Sequence, residues 1–155
     1  MRDRTLKPAT LLPPPLIYAV ALIGAWWLDL SLPLPLDFLT AALYVGWVSI
    51  ALGLVGFAWA LAAIWGNHTT VNPYKGASHL VTDGAFRYSR NPIYVSDWLI
   101  YIGVMLLIQT AWPLLFAPLV WALMRYAVIA HEETHLEAKF GAEYRAYKSR
   151  VRRWI

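Results

Sequence analysis

From Asp37 to Lys75 the chain reads DFLTAALYVGWVSIALGLVGFAWALAAIWGNHTTVNPYK, with no charged residue between its two ends. A soluble domain of 155 residues carries charge on the outer face of each helix. A bilayer core instead asks for roughly 20 apolar residues per helix, and this stretch supplies more. The remainder agrees: 59% of the residues are hydrophobic and the mean hydropathy is +0.49. The fold expected is all-α: an integral membrane helical bundle of four transmembrane helices plus a C-terminal amphipathic interfacial helix, in one domain spanning 1–155.

The spans read as Leu12–Leu30, Leu39–Trp65, Pro92–Ile108 and Trp112–Ala130. Arg2, Arg4 and Lys7 precede the first. The loop after it holds Asp37 and no basic residue. Lys75, Arg87 and Arg90 fill the long second loop, and the turn at Gln109-Thr110 is uncharged. Lys139, Arg145, Lys148, Arg150, Arg152 and Arg153 fill the tail. Every basic segment falls on one side of an even-numbered bundle, the cytoplasmic side by the positive-inside rule. We therefore expect an integral membrane protein with cytoplasmic termini, in a bacterial inner membrane. A signal peptide cut after Ala19-Val20-Ala21 fits less well. Pro13-Pro14-Pro15 suits a helix start, and the apolar run continues to Leu28.

The net charge of +4 matches anionic lipid headgroups and offers no soluble basic face to nucleic acid. Without cysteine, disulfides, thiolate metal sites and a cysteine nucleophile are excluded. No P-loop, dinucleotide fingerprint or nucleophile elbow is present.

Span two carries Ala42, Gly46, Ser49, Gly53, Gly56 and Ala60 on one face, a packing stripe that lets backbones approach. Pro118 removes a backbone donor inside span four, which predicts a kink. In the tail, Leu136, Phe140, Tyr144 and Tyr147 recur at helical spacing, predicting an amphipathic helix along the surface with Trp154 as interfacial anchor.

Chemistry concentrates around the last hairpin. Arg90-Asn91-Pro92-Ile93-Tyr94 precedes it and Glu132-Glu133 follows it. A there-and-back passage returns both motifs to one membrane face. Asp97 and Arg125 are charges inside the spans, each about five residues, or roughly 7 Å, from that face. They are expected to pair, or Arg125 to contact substrate. His131-Glu132-Glu133-Thr134-His135 matches the H-E-x-x-H zinc pattern, yet no third ligand is readable, so no metal is expected.

With these residues the chain resembles the isoprenylcysteine carboxyl methyltransferase and phospholipid methyltransferase superfamily of small integral membrane enzymes. The likeness rests on Leu80-Val81-Thr82-Asp83-Gly84-Ala85-Phe86, Arg90-Asn91-Pro92-Ile93-Tyr94, and then Glu132-Glu133, Leu136, Phe140-Gly141, Tyr144 and Tyr147, within 69–155. Asn91 replaces the histidine of eukaryotic members, and Ala85 stands where proline is common. The resemblance implies S-adenosyl-L-methionine as cofactor, held by His79, Leu80, Val81, Phe86, Asn91, Pro92, Tyr94 and Glu132. It also implies a basic residue before the Glu pair facing substrate, for which Arg125 is nearest. The expected reaction is methyl transfer to a hydrophobic or lipid-like acceptor, carboxylate or amine, at the cytoplasmic face. Glu133 would serve as base for an amine, and Arg90 or Arg125 would hold an anionic group. Membrane lipids are the expected surroundings, with no obligate protein partner. The rival readings are a membrane zinc peptidase, a related NADPH-dependent reductase and a non-catalytic scaffold.

Overall fold

The computed structural model describes residues 13–36, 40–67 and 79–155. Leu12 and Leu39, where spans one and two were expected to begin, lie outside the described residues. So do Arg2, Arg4, Lys7, Asp37 and Lys75, on which the charge reading leans, and the loop from 68 to 78, with Thr69.

Helix α1 (Pro14–Ser31) starts on prolines, whose missing N–H has no partner in a first turn. It stops before Pro33 and Pro35, which cannot continue it. Helix α2 (Thr40–Gly66) is 27 residues long, about 40 Å at 1.5 Å per residue. Helix α3 (Pro92–Ile108) opens on Pro92 and closes at Gln109, a non-glycine residue at φ 50° that turns the chain at once. Helix α4 (Trp112–Ala122), a π-helical segment (Leu123–Ile129) and helix α5 (Ala130–Arg150) then follow without a loop, as one rod as far as Gly141, where α5 kinks. Among the described residues there is no strand, only an isolated bridge between Pro35 and Thr110.

Among the described residues three helices are long and apolar enough to cross a membrane: α1, α2 and the rod from Trp112. Helix α3 is apolar but only 17 residues long. Only 22% of the apolar window of α2 is buried inside the protein, and Trp47, Val48, Leu54 and Val55 are exposed. A helix apolar on every side and so little covered is solvated by lipid.

The small-residue stripe of α2 packs on α3 as expected. A Cβ added to Gly53 would stand 2.8 Å from the Ser96 carbonyl, and one added to Gly56 2.7 Å from Ser96 Oγ. Ser49 Oγ donates to the Leu99 carbonyl at 2.7 Å. Gly103 on α3 completes the approach, its backbone lying against Gly46. The core gathers Ile17, Tyr18, Tyr94, Tyr101, Val120, Met124, Val128 and Ile129.

Three expectations change. As far as Gly141 the tail continues from span four, because no breaker stands between Pro118 and Gly141; the helix is broken at Gly141 itself. Its Tyr144 and Tyr147 face is buried in the protein, and Trp154 packs against the core cluster rather than standing alone as an anchor. Asp97 and Arg125 do not pair. Arg125 falls in the π-helical segment, where the 3.6-residue repeat behind the equal-depth argument no longer holds; its guanidinium lies 5.9 Å from the Tyr126 ring. Asp97 Oδ2 is buried without a partner.

Candidate active site

The turn at Thr82-Asp83-Gly84 forms because Gly84 adopts φ 53°, and a Cβ there would also stand 2.9 Å from Ala63 Cβ on α2. Asn67, just past the end of α2, donates from Nδ2 to Asp83 Oδ1 at 3.0 Å. These contacts hold the turn of 3-10 helix Gly84–Arg87 against the end of α2.

From there the tail takes over. Gly141, at φ 49°, bends α5 so that its last turns come back toward the loop. Tyr147 Oη donates to the Phe86 carbonyl at 2.7 Å. The Arg90 amide donates to the Arg152 carbonyl at 3.0 Å, and Asn91 Nδ2 to the Arg153 carbonyl at 2.8 Å. Ser89 Oγ accepts the Asn91 amide at 3.1 Å. The Asn-Pro corner is thus fixed from both sides, and Pro92 launches α3.

Two contacts close the hairpin. Tyr94 Oη donates to Glu132 Oε1 at 2.6 Å. Arg90 Nη1 lies 3.0 Å from Glu133 Oε1, near enough for an ion pair but off the line of a hydrogen bond, so Arg90 Nε and Nη1 keep unused donor capacity. The two motifs that bracket the last hairpin therefore touch.

Glu133 has a second partner that spacing did not reveal. Arg153 grips it with two bonds, Nε to Oε1 at 2.8 Å and Nη2 to Oε2 at 2.6 Å. Two-point guanidinium–carboxylate contact is strong and fixes orientation. Arg153 lies 20 residues beyond Glu133 and is one of several tail arginines. No sequence signal separates it from charges that set topology.

The neighbouring Glu132 differs. It lies past the apolar part of the rod, no cation meets it among the described residues, and burial pushes its carboxyl up to about 7 despite the Tyr94 hydrogen bond. No donor among the described residues reaches its Oε2. A carboxylate without a cation beside unused guanidinium donors is an arrangement that can receive both an ammonium and a carboxylate.

Val81, Asn91, Pro92 and Tyr94 are buried, Leu80 and Phe86 half-buried, and His79 exposed at the edge of the described segment. Arg125 is not part of this cluster of contacts. His131 is exposed, and burial together with Lys139 lowers the pKa of His135. Among the described residues no three His, Cys, Asp or Glu side chains gather to hold a metal. The H-E-x-x-H reading finds no support, and Glu132 is turned to Tyr94.

The family model described as phospholipid methyltransferase matches residues 41–143. An uncharacterized protein of Haemophilus influenzae (strain ATCC 51907 / DSM 11121 / KW20 / Rd) is 70% identical over 27 residues, 17% of this chain. That similarity spans 43% of the relative's length, less than half of it. No solved structure matches this chain. The family match runs from the start of α2 through the Arg90–Tyr94 corner and Glu132-Glu133, the residues that meet at the hairpin mouth, and by it the chain belongs to the phospholipid methyltransferase family.

Proposed function

We propose that this protein transfers a methyl group from S-adenosyl-L-methionine to a hydrophobic, lipid-borne acceptor at the cytoplasmic membrane face. The observation that carries this reading is the joining of two distant motifs, Tyr94 to Glu132 at 2.6 Å and Arg90 to Glu133 at 3.0 Å, in a chain of this family. The topology belongs to the proposal: four spans, with α3 crossing as the shortest. The expected absence of nucleic-acid and obligate protein partners does too.

The residues fit the cofactor in kind. Glu132 has a free oxygen for the α-ammonium of the donor, and Arg90 has unused N–H groups for its α-carboxylate. Val81, Phe86 and the Asn91-Pro92 corner supply the apolar and backbone wall, with His79 at its edge. When bound, the cofactor would supply an electrophilic sulfonium methyl group to the acceptor's lone pair. The chain's part is placement. Ordered by the tail, the corner holds the donor in one orientation, and positioning of this kind lowers the barrier without further chemical assistance. Burial excludes water and strengthens every fixed dipole.

Glu133 has a further role in this proposal beside that of base for an amine acceptor. Gripped by Arg153 and paired with Arg90, it acts as a positioning residue that fixes Arg90 and the tail. Arg125, whose guanidinium lies 5.9 Å from the Tyr126 ring, enters only if the acceptor reaches it.

The test is incubation of purified protein and native lipid extract with methyl-labelled donor, followed by identification of the labelled product. A labelled lipid is expected. Failure of any lipid to take label, together with no binding of S-adenosylhomocysteine, would end the reading.

A further inference from the structure

Two arginines meet one carboxylate at the mouth of the hairpin, and they do not share it equally. Arg153 takes both oxygens of Glu133, Nε to Oε1 at 2.8 Å and Nη2 to Oε2 at 2.6 Å. Arg90 reaches only Oε1, 3.0 Å from Nη1 and off the line of a hydrogen bond. A guanidinium binds a carboxylate best side by side, through two parallel bonds. Glu133 has one edge that offers both oxygens, and Arg153 occupies it. Arg90 is the deeper of the two, its side chain 10% exposed against 26% for Arg153. It stands beside its counter-ion with Nε and Nη1 buried and unused.

The tail backbone holds Arg153 in this place. The Arg152 carbonyl accepts from the Arg90 amide at 3.0 Å. The Arg153 carbonyl accepts from Asn91 Nδ2 at 2.8 Å and from Ser89 Oγ at 3.3 Å. Gly141, at φ 49° and ψ −115°, supplies the bend that brings residue 153 back to Glu133. The same few residues therefore fix the corner that carries Arg90 and the guanidinium that competes with it.

We propose that Arg153 is a positioning residue for the methyl donor: it occupies the two-oxygen edge of Glu133, keeps Arg90 from closing on that carboxylate, and so leaves the Arg90 donors to the donor's α-carboxylate. This rests on the methyl-transfer reading and adds a residue to its cofactor site. Two guanidiniums against one carboxylate leave a positive charge that an incoming anion completes. Without Arg153 the balance changes. Arg90, already 3.0 Å from Oε1, turns into the freed edge and makes the two-bond pair itself. The donor's carboxylate must then displace Glu133 before it can bind. Arg153 acts through Arg90 and touches no ligand.

The test is calorimetric binding to the purified full chain in neutral detergent. The probes are S-adenosylhomocysteine, which carries the α-carboxylate, and methylthioadenosine, which keeps the nucleoside and thioether without the amino-acid end. Arg153→Gln should weaken S-adenosylhomocysteine about tenfold, the scale of a charge-assisted hydrogen bond, and leave methylthioadenosine unchanged. Arg153→Lys, which keeps the charge but not the fork, should recover only part of the loss. The double variant Arg90→Gln with Arg153→Gln should bind S-adenosylhomocysteine no worse than Arg90→Gln alone, because the second change has nothing left to act through. Unchanged S-adenosylhomocysteine affinity in Arg153→Gln overturns the proposal. So does an equal loss for both probes, which marks a merely structural role, and so do additive losses in the double variant, which mark direct contact. If Arg153→Gln fails to fold, Arg153→Lys decides: a loss confined to S-adenosylhomocysteine supports the proposal, and any other result overturns it. Absence of S-adenosylhomocysteine binding by the unaltered protein would instead strike the methyl-transfer reading, and the proposal with it.

Discussion

The two ends of the helical bundle are built in opposite ways. At one end the 32–36 turn and the 109–112 turn satisfy each other. Asp29 Oδ1 accepts from the Leu34 amide at 3.0 Å and Thr110 Oγ1 at 2.7 Å. Trp112 Nε1 donates to the Leu32 carbonyl at 2.9 Å, the Leu36 amide to Gln109 and the Ala111 amide to Leu34. No buried side-chain atom of these turns is left without a partner among the described residues. The other end holds Arg90, Glu132, Glu133 and Arg153, and its side of the interior holds the partnerless Asp97 and Trp98. The first end is finished by its own chain; the second retains donors and acceptors that a ligand can use. A membrane protein has no interior water to hide such a surplus, and the proposed binding site rests on this imbalance.

The contrast can be broken most forcefully at Glu133. Glu133→Ala leaves two guanidiniums facing a buried void, and removal of one partner of such a pair costs about 3–5 kcal/mol; with Arg153 partly exposed the lower figure is expected. Thermal unfolding in detergent reads it, and S-adenosylhomocysteine affinity should fall in the same variant as the corner loosens. Glu132→Gln separates function from stability. Affinity for S-adenosylhomocysteine should drop about tenfold or more, the loss of a charged hydrogen bond, with little change in the unfolding midpoint; unchanged calorimetric affinity would remove Glu132 from the cofactor site.

The pH dependence sharpens the same point. Folded Glu132 titrates near 7 against an ordinary 4.5, so between those values the folded chain holds more proton than the unfolded one. Its contribution to stability is complete below the lower value and is lost as pH rises through about 7. Ligand affinity should run the other way, weakening by up to about tenfold per pH unit below that point if the ionised carboxylate is what binds. A flat affinity profile across this range in the unaltered protein would contradict the role. The smallest effect belongs to the finished end. Asp29→Ala removes two accepted hydrogen bonds at an exposed turn and should lower the unfolding midpoint only slightly, without altering ligand binding. A loss of binding there would erase the distinction between the ends.

Helix positions were legible because apolar runs and prolines are local signals. The expected start and end of span three, Pro92 and Ile108, are those of α3, and the stripe from Gly46 to Ala60 on α2 already implied a close helix neighbour. That Arg90-Asn91-Pro92-Ile93-Tyr94 and Glu132-Glu133 meet followed from hairpin geometry. What could not be read was which partner each charge finds. Arg153 was one basic residue of the tail, and Asp97 and Arg125 looked like a pair.

The order of residues alone thus determined the helices, their apolar lengths and the return of two motifs to one end, because each depends on hydropathy and backbone geometry within a short window. Only the packed structure decided that Glu133 is clamped by Arg153 and Arg90, that Glu132 answers Tyr94, and that Asp97 stands without a counter-ion. A π-helical segment and the bend at Gly141 shift side chains around the rod by amounts no heptad count contains. Pairing in a low-dielectric interior depends on ångström distances, which arise only when all the helices are in contact.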